Sequence, residues 1–524
     1  MIVTCLGAPR SVADSRAADD DIRQRIDLCD HWEIAPGTGL DFIQRLNNLG
    51  NLPKDGWKPV AIPNRGDGKG HFTYYEHPRE EGGWYRRTLN LEEVPQHKRV
   101  LLEFRAASYI TRVWVNGRFV GSHDFHASPF ELDITAAVHS GDNEIVVSCA
   151  PNIDLNVDPQ AVWHTRAIGT RGYLTPLGIW DRVYLSMVPE VRAGDIFVRP
   201  SYRNQNLSAM VTLTNSTPHG WQGTLRARVL DGEKACREFP AVEASVAAVS
   251  STSVELLVDW SDFRIWTPQD PHLYHLEVEL LDAEGKVVDR SRQRFGFREV
   301  WVETRQPGQP EIMMNGQPLR FYGYGLWPNY AHAKEHWIAQ IRHGPWRLMT
   351  GCRTHAMEAP ESFFEACDET GFLVVCETSL LQEAPFWREA TWRTVLHQYA
   401  KWVIAKRNHP SIVIWSMDNE ACHGGLPNPH VASMPWLKKL CDQYHALDPT
   451  RPVTASNDYD AIPNLDVHAI GGGPHINTYS ALPNQYRLVL EMFDGLRGRR
   501  QGKPAIMTEW GENPNCFDAH ASIA

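Results

Sequence analysis

The sequence predicts a multidomain chain: two β-sandwiches in series, then an α/β domain built on a parallel sheet. Three observations carry that prediction. The chain has 524 residues, and domains usually run about 100–200, so three or so cores are expected. From about residue 25 to about 301, short β-rich segments recur between turn residues without helical periodicity. After about 302, apolar runs of strand length alternate with segments of helical spacing.

Composition sets the outer limits. Hydrophobic residues are 42% and charged residues 22%, the mix of an ordinary globular protein. No apolar run approaches the roughly 18 residues of a membrane-spanning helix. Net charge is −11, which argues against nucleic acid as a partner, because phosphate binding needs concentrated Lys and Arg. The 19 Trp, 16 Tyr and 18 Phe fit large cores, and equally fit surfaces on which the C–H faces of a sugar stack. Ten Cys form no CxxC pair, so a zinc ribbon lacks support and buried free thiols are expected. The N-terminus lacks the basic lead and apolar stretch of a secretory signal, so a cytoplasmic location is expected. Asn206-Leu207-Ser208 and Asn215-Ser216-Thr217 match the glycosylation pattern, a match common by chance.

Residues 1–24, with Asp19-Asp20-Asp21, read as a polar tail. Over 25–187, Trp84–Leu89, Val100–Phe104, Glu131–Ile134 and Asn143–Val147 read as strands of a sandwich. Within them Asn116-Gly117, flanked by β-formers, predicts a type I′ hairpin turn. Over 188–301, Ala209–Leu213, Thr224–Val229, Val254–Val258 and Leu276–Leu281 predict a second sandwich of immunoglobulin-like size. Trp266–Tyr274, punctuated by Pro268 and Pro271, must be extended. Over 302–524, a second Asn-Gly turn at Asn315-Gly316 opens the α/β part. Phe363, Phe364 and Cys367 make a helical stripe that Gly371 ends. Trp392, Val395, Leu396, Tyr399, Trp402 and Val403 hold helical spacing over three turns. Phe372–Cys376, Ser411–Ser416, Arg451–Ala455 and Pro504–Thr508 read as buried parallel strands, of a barrel or of an open sheet. No Gly-rich phosphate fingerprint follows any of them, which disfavours a nucleotide-binding oxidoreductase or phosphotransferase.

Two carboxylates stand out. Glu420 follows the strand Ile412–Trp415 and Glu509 follows Ala505–Met507. Acids at the C-terminal ends of barrel strands face the mouth where such enzymes do chemistry, and two acids meeting there are the equipment of glycoside hydrolysis. The plainer alternative is that each caps a helix or pairs with an Arg. Lys406-Arg407-Asn408-His409-Pro410-Ser411-Ile412-Val413-Ile414-Trp415-Ser416-Met417-Asp418-Asn419-Glu420 resembles the acid/base signature of glycoside hydrolase family 2, which includes β-galactosidases, β-glucuronidases and β-mannosidases. Lys503–Gly511 resembles the family's nucleophile segment. Gly83–Arg87, Val115-Asn116-Gly117, Pro129–Thr135 and Gly178–Val183 are similar to its N-terminal jelly-roll. Trp266-Thr267-Pro268 and Phe295-Gly296-Phe297-Arg298 are similar to the end of its immunoglobulin-like domain.

The resemblance implies a jelly-roll β-sandwich, an immunoglobulin-like β-sandwich and a (β/α)₈ TIM barrel, in that order. It implies Glu420 as general acid/base, Glu509 as nucleophile, and Asn419 as the partner of the sugar 2-hydroxyl. Arg353 matches the family's strand-two Arg, which would keep the nucleophile ionised. His355 is the candidate for a nearby His, although the usual Arg-Thr-Ser-His is one residue shorter here. Glu377 matches half of an acidic pair whose other half is replaced by Cys376. Tyr479 is the candidate to bond the nucleophile, and Trp510, with Trp327 and Trp415, is a candidate to floor the sugar pocket, although Trp415, just before a strand end, fits a core position equally well.

The implied function is a retaining, exo-acting β-glycosidase, β-galactosidase-like, that needs no metal or cofactor and is able to assemble as a homo-oligomer. Only 15 residues follow Glu509, so the barrel is expected to lack its last βα unit. That keeps open a non-catalytic carbohydrate-binding alternative. His123 and His126 near a turn are ligand candidates, though loop histidines are far commoner than ligands. Asp418 reads as tuning Glu420 or as solvated, and Arg497–Arg500 as a solvated helix end.

Overall fold

A computed structural model describes residues 22–36, 48–63, 83–108, 110–125, 127–150, 178–307, 309–326, 332–355, 358–380, 389–419, 429–455, 462, 465–470 and 503–507. The first region is an antiparallel sandwich. Its smaller sheet orders Gln24–Asp27, Val183–Pro189, Lys98–Phe104 and Phe130–Asp133. Its larger sheet orders Lys58–Val60, Trp32–Pro36, Gly83–Leu91, Gly141–Ala150, Ile110–Val115 and Arg118–Asp124. Alternating side chains such as Val100, Leu102 and Phe104 meet Tyr85, Val113 and Val147 in one core. Asn116 and Gly117 take φ of 50° and 77°, the left-handed pair that a type I′ turn demands.

The second sandwich packs Val191–Ser201, Asn206–Asn215 and Ser250–Asp259 against a sheet ordered Lys234–Glu238, Trp221–Asp231, Tyr274–Leu281 and Val287–Phe295. Strict alternation in the sequence puts Leu207, Ala209, Val211 and Leu213 inside this core. A three-stranded ribbon, Val300–Gln306, Gln309–Met314 and Gln317-Pro318, turns at Asn315-Gly316 between its last two strands and leads into the third region.

There the strands run parallel and in chain order: β1 (Gly323–Leu326), β2 (Gly351–Thr354), β3 (Leu373–Glu377), β4 (Ile412–Ser416) and β5 (Val453–Thr454). Strands β6 (His468–Ile470) and β7 (Ala505–Met507) pair with each other. Asp466 and Val467 tie the start of β6 to β5, through Asp466 N–H to Val453 O at 3.0 Å and Thr454 Oγ1 to Val467 O at 2.8 Å. Helices α1 (Lys334–Arg342), α2 (Glu361–Thr370), α3 (Glu389–Lys406) and α4 (Pro429–Leu447) form the crossovers. The order in space repeats the order in sequence, as in a (β/α)₈ barrel.

The strands sort their side chains by period two. Cys352, Val374 and Cys376 join Phe363, Phe364, Tyr399, Trp402 and Trp415 in the layer under the helices. Leu373, Val375 and Ile414 join Trp266, Met314 and Ile506 in a separate cluster. Each fully buried large apolar side chain contributes about 1.5–3 kcal/mol. The helical stripe read at Phe363, Phe364 and Cys367 is wholly buried. Gly371 caps α2 at φ 75°, its N–H donating to Cys367 O. A Cβ there would also meet Pro268 O at 2.3 Å, so both the cap and the approach of the second sandwich require glycine. Cys29, Cys149, Cys352, Cys367, Cys376 and Cys441 are buried free thiols, and Cys236 is exposed. Among the described residues, no helix is long and apolar enough to cross a membrane.

The barrel is keyed into both sandwiches. Trp266, fully buried, donates its indole N–H to Asp368 O at 2.9 Å. Arg298, at the exit of the second sandwich, donates to Pro410 O at 2.9 Å and Ile412 O at 2.8 Å. Asn408 bonds Val198 N–H and Ile196 O at 2.9 and 2.7 Å. From the first sandwich, Ser128 Oγ donates to Gln398 Oε1 of α3 at 2.9 Å.

Candidate active site

The C-terminal ends of β2, β3 and β4 gather a buried polar cluster. Arg353 of β2 pairs in register with Val375 of β3. Two residues on, and so on the same face, stands Glu377. Glu377 in turn pairs in register with Ser416 of β4. Register alone therefore sets Arg353, Glu377 and Ser416 side by side. Arg353 grips Glu377 with two parallel bonds, Nε to Oε2 and Nη2 to Oε1, each 2.7 Å. Side-chain exposure is 4% for Arg353 and 0% for Glu377. A bidentate pair offsets the cost of burying both charges, whereas removing one partner would cost about 3–5 kcal/mol.

The cluster extends to both sides. Ser416 Oγ donates to Glu377 Oε2 at 2.8 Å. Arg353 Nη2 also donates to Asn419 Oδ1 at 2.5 Å. The Asn419 N–H is held by Leu380 O at 2.9 Å, and Thr378 Oγ1 donates to Met417 O at 2.6 Å. The turn leaving β4 is thus sewn to the turn leaving β3. Thr354 Oγ1 accepts from Glu377 N–H at 2.8 Å, which closes the seam to β2. His355 and Asp418 are buried beside these residues, so Asp418 is not the solvated residue that one reading of the sequence allowed.

Of the residues the sequence singled out, the structure brings Arg353 and Asn419 into direct contact. Among the described residues the Arg353 guanidinium bonds Glu377 and Asn419, and its expected partner Glu509 lies outside them. Glu420, Glu509, Tyr479, Trp510, Trp327 and His126 lie outside the described residues. Trp415 belongs to the layer under the helices, with its N–H on Asp448 Oδ2 at 2.9 Å and its ring edge-on to Tyr444. His123 is a buried core residue, bonded to Ser128 at 3.2 Å and stacked on Phe130. Sequence reasoning passed over Glu358 and gave Ser416 no role. Glu358 is fully buried four residues past β2, and its Oε1 accepts both the N–H and the Oγ of Ser379 at 3.1 Å. An acid that close to a strand end was the available signal.

Comparison with known proteins fits this architecture domain by domain. Residues 75–168 match the profile "Glycosyl hydrolases family 2, sugar binding domain", and residues 191–298 match "Glycosyl hydrolases family 2". Residues 349–516, which contain the polar cluster, match "Glycosyl hydrolases family 2, TIM barrel domain". The chain belongs to glycosyl hydrolase family 2. Its jelly-roll, immunoglobulin-like domain and TIM barrel are those of the family. A beta-galactosidase of Thermoanaerobacter pseudethanolicus is 24% identical over 423 residues, covering 77% of this chain and 52% of that protein. One of Photobacterium profundum is 26% identical over 499 residues, covering 86% and 45%. The chain thus spans about half the length of these curated relatives. Among solved structures, the beta-glucuronidase of Bacteroides uniformis superposes at a TM-score of 0.72, with 18% identity over 93% of this chain and 58% of that one. A family 2 beta-galacturonidase of Eisenbergiella tayi superposes at 0.71, with 20% identity over 93% and 80%. These two share the fold.

Proposed function

We propose that this family 2 chain is a retaining, exo-acting β-glycosidase that removes a terminal neutral sugar, with a β-galactoside as the first choice. The observation that carries the reading is the seam just described. It fixes Asn419, the residue before Glu420, at the C-terminal end of β4 through Arg353 and Leu380. A barrel that spends a buried ion pair on that turn has reason to hold Glu420 still.

In this reading Glu509 attacks the anomeric carbon and Glu420 protonates the departing oxygen. For a retaining enzyme the two carboxyls stand about 5–5.5 Å apart. Glu420 starts protonated because the neighbouring carboxylate and partial burial disfavour its charge. Forming the glycosyl-enzyme neutralises Glu509. Glu420 then ionises more readily and takes the proton of the incoming water. Asn419 contacts the sugar 2-hydroxyl.

The test is a 2-fluoro-β-galactosyl fluoride with mass spectrometry. Covalent labelling of Glu509, and loss of both labelling and turnover in Glu509→Gln, supports the reading. Sugar binding without any label supports a carbohydrate-binding module instead.

A further inference from the structure

We infer that Ser416 is a positioning residue for recognition of the sugar 2-position, acting through Glu377 and Arg353 on Asn419; this rests on the glycosidase reading above. The chain of contacts is directional. Ser416 has one hydroxyl proton, and its shorter bond, 2.8 Å, goes to Glu377 Oε2, against 3.4 Å to Asp418 O. That oxygen also receives Arg353 Nε at 2.7 Å. With its hydroxyl proton directed at the carboxylate, Ser416 holds the Glu377 plane edge-on to the guanidinium. The guanidinium so placed sends Nη2 to both Glu377 Oε1 and Asn419 Oδ1.

A guanidinium has donors only, so the Asn419 atom it touches must be the carbonyl oxygen. Its Nδ2 is then turned the other way. Asn419 therefore offers the sugar N–H donors, and the sugar must bring an acceptor, which a 2-hydroxyl oxygen is and a 2-deoxy carbon is not. Without Ser416, Glu377 Oε2 keeps Arg353 Nε but loses its hydroxyl donor, so the carboxylate plane shifts and the guanidinium carries the Asn419 amide with it. Ser416 touches neither sugar nor catalytic carboxylate in this scheme, and its effect is confined to the 2-position. The four residues are 0–3% exposed, so water does not compete strongly for their bonds.

The experiment compares p-nitrophenyl β-galactoside with its 2-deoxy analogue. In wild type the 2-hydroxy substrate is preferred by kcat/KM. In Ser416→Ala that preference shrinks about tenfold, the size of one charge-assisted hydrogen bond. Ser416→Thr, which restores the hydroxyl, recovers it. Adding Ser416→Ala to Asn419→Ala changes the preference no further, because the two act in one chain. If Ser416→Ala lowers both substrates equally, or leaves the ratio untouched, the inference is wrong while the glycosidase reading stands. If wild type cleaves neither substrate, the hydrolytic reading fails by itself. The same comparison is then made by calorimetry with galactose and 2-deoxygalactose. Loss of the 2-hydroxyl preference in Ser416→Ala sustains the inference, and an unchanged preference overturns it.

Discussion

Strand β4 carries a buried charged cluster at each end, and the two are wired to different parts of the molecule. At the entry, His409 sits between Asp368 Oδ2 at 2.7 Å and Glu361 Oε1 at 3.2 Å. Asp368 also pairs with Arg294 of the second sandwich at 3.2 Å, and the Glu361 N–H donates to Asp181 of the first at 3.3 Å. At the exit, Arg353, Glu377, Ser416 and Asn419 bond one another, and their partners among the described residues are strand ends of the barrel. Both clusters use the same chemistry, a carboxylate clamped by cations and hydroxyls. Their place along the strand separates their tasks. The entry end docks domains, and the exit end faces the mouth where barrel enzymes work.

That contrast is broken most directly by removing one acid from each. Glu377→Gln leaves Arg353 buried without its charge partner, at a cost of about 3–5 kcal/mol, and releases Asn419. Both urea stability and turnover per folded molecule should fall, turnover by about 100-fold or more. Asp368→Asn should cost a similar part of the stability yet leave turnover per folded molecule near wild type, provided activity is normalised by active-site titration. Equal losses of turnover in the two variants would erase the distinction between the ends.

How much of this was legible in the sequence differs between the ends. Asn419 and Arg353 were found through the resemblance of Lys406–Glu420 and Cys352–His355 to motifs of the family. The Glu377–Ser416 contact was not, because it depends on the register between strands 39 residues apart. The entry cluster was hidden for the same reason, since its acids stand 48 and 41 residues from His409, on another element. Local signals fared best where one residue decides the backbone, as at Asn116-Gly117, Asn315-Gly316 and Gly371. Strands β1 and β6 escaped notice. Gly323-Tyr324-Gly325-Leu326 carries two glycines, and His468–Ile470 is three residues long, too short to show a period.

The entry cluster also gives stability a pH signature that sharpens the contrast. Burial alone would push the His409 imidazole down, but Asp368 and Glu361 outweigh it and hold it above its ordinary 6.5. Burial likewise opposes the charged forms of Asp368 and Glu361. The cations around them win, His409 foremost for Asp368 and Lys406 foremost for Glu361, and both carboxyls lie below their ordinary values. A raised imidazole contributes fully below its unfolded pKa and loses that contribution as pH rises through the folded one. Depressed carboxyls contribute above their unfolded pKa and lose it as pH falls. Stability should therefore decline on the alkaline side above about 6.5 and on the acid side below about 4. His409→Gln should flatten the alkaline flank in urea melts from pH 6 to 9. A flank of unchanged slope would show that His409 is not the group responsible.

The smallest effect tests whether burial, and not charge as such, gives both clusters their weight. On α3, Arg393 bonds Glu389 one turn away at 2.8 Å, the same pair of groups as Arg353 with Glu377. Its side chains are 74% and 60% exposed, so water screens the attraction and holding two long side chains costs entropy. Arg393→Ala should shift stability by no more than about 0.5 kcal/mol and leave turnover alone. Salt sharpens the point. Raising ionic strength from 0.05 to 0.5 M shortens the screening length from roughly 14 to 4 Å. The small Arg393→Ala loss should then vanish, while the loss in Glu377→Gln should persist because no ions enter a dry site. If salt moved both equally, the Arg353–Glu377 pair would behave as a surface pair, and the rigidity argued for Asn419 would have no source.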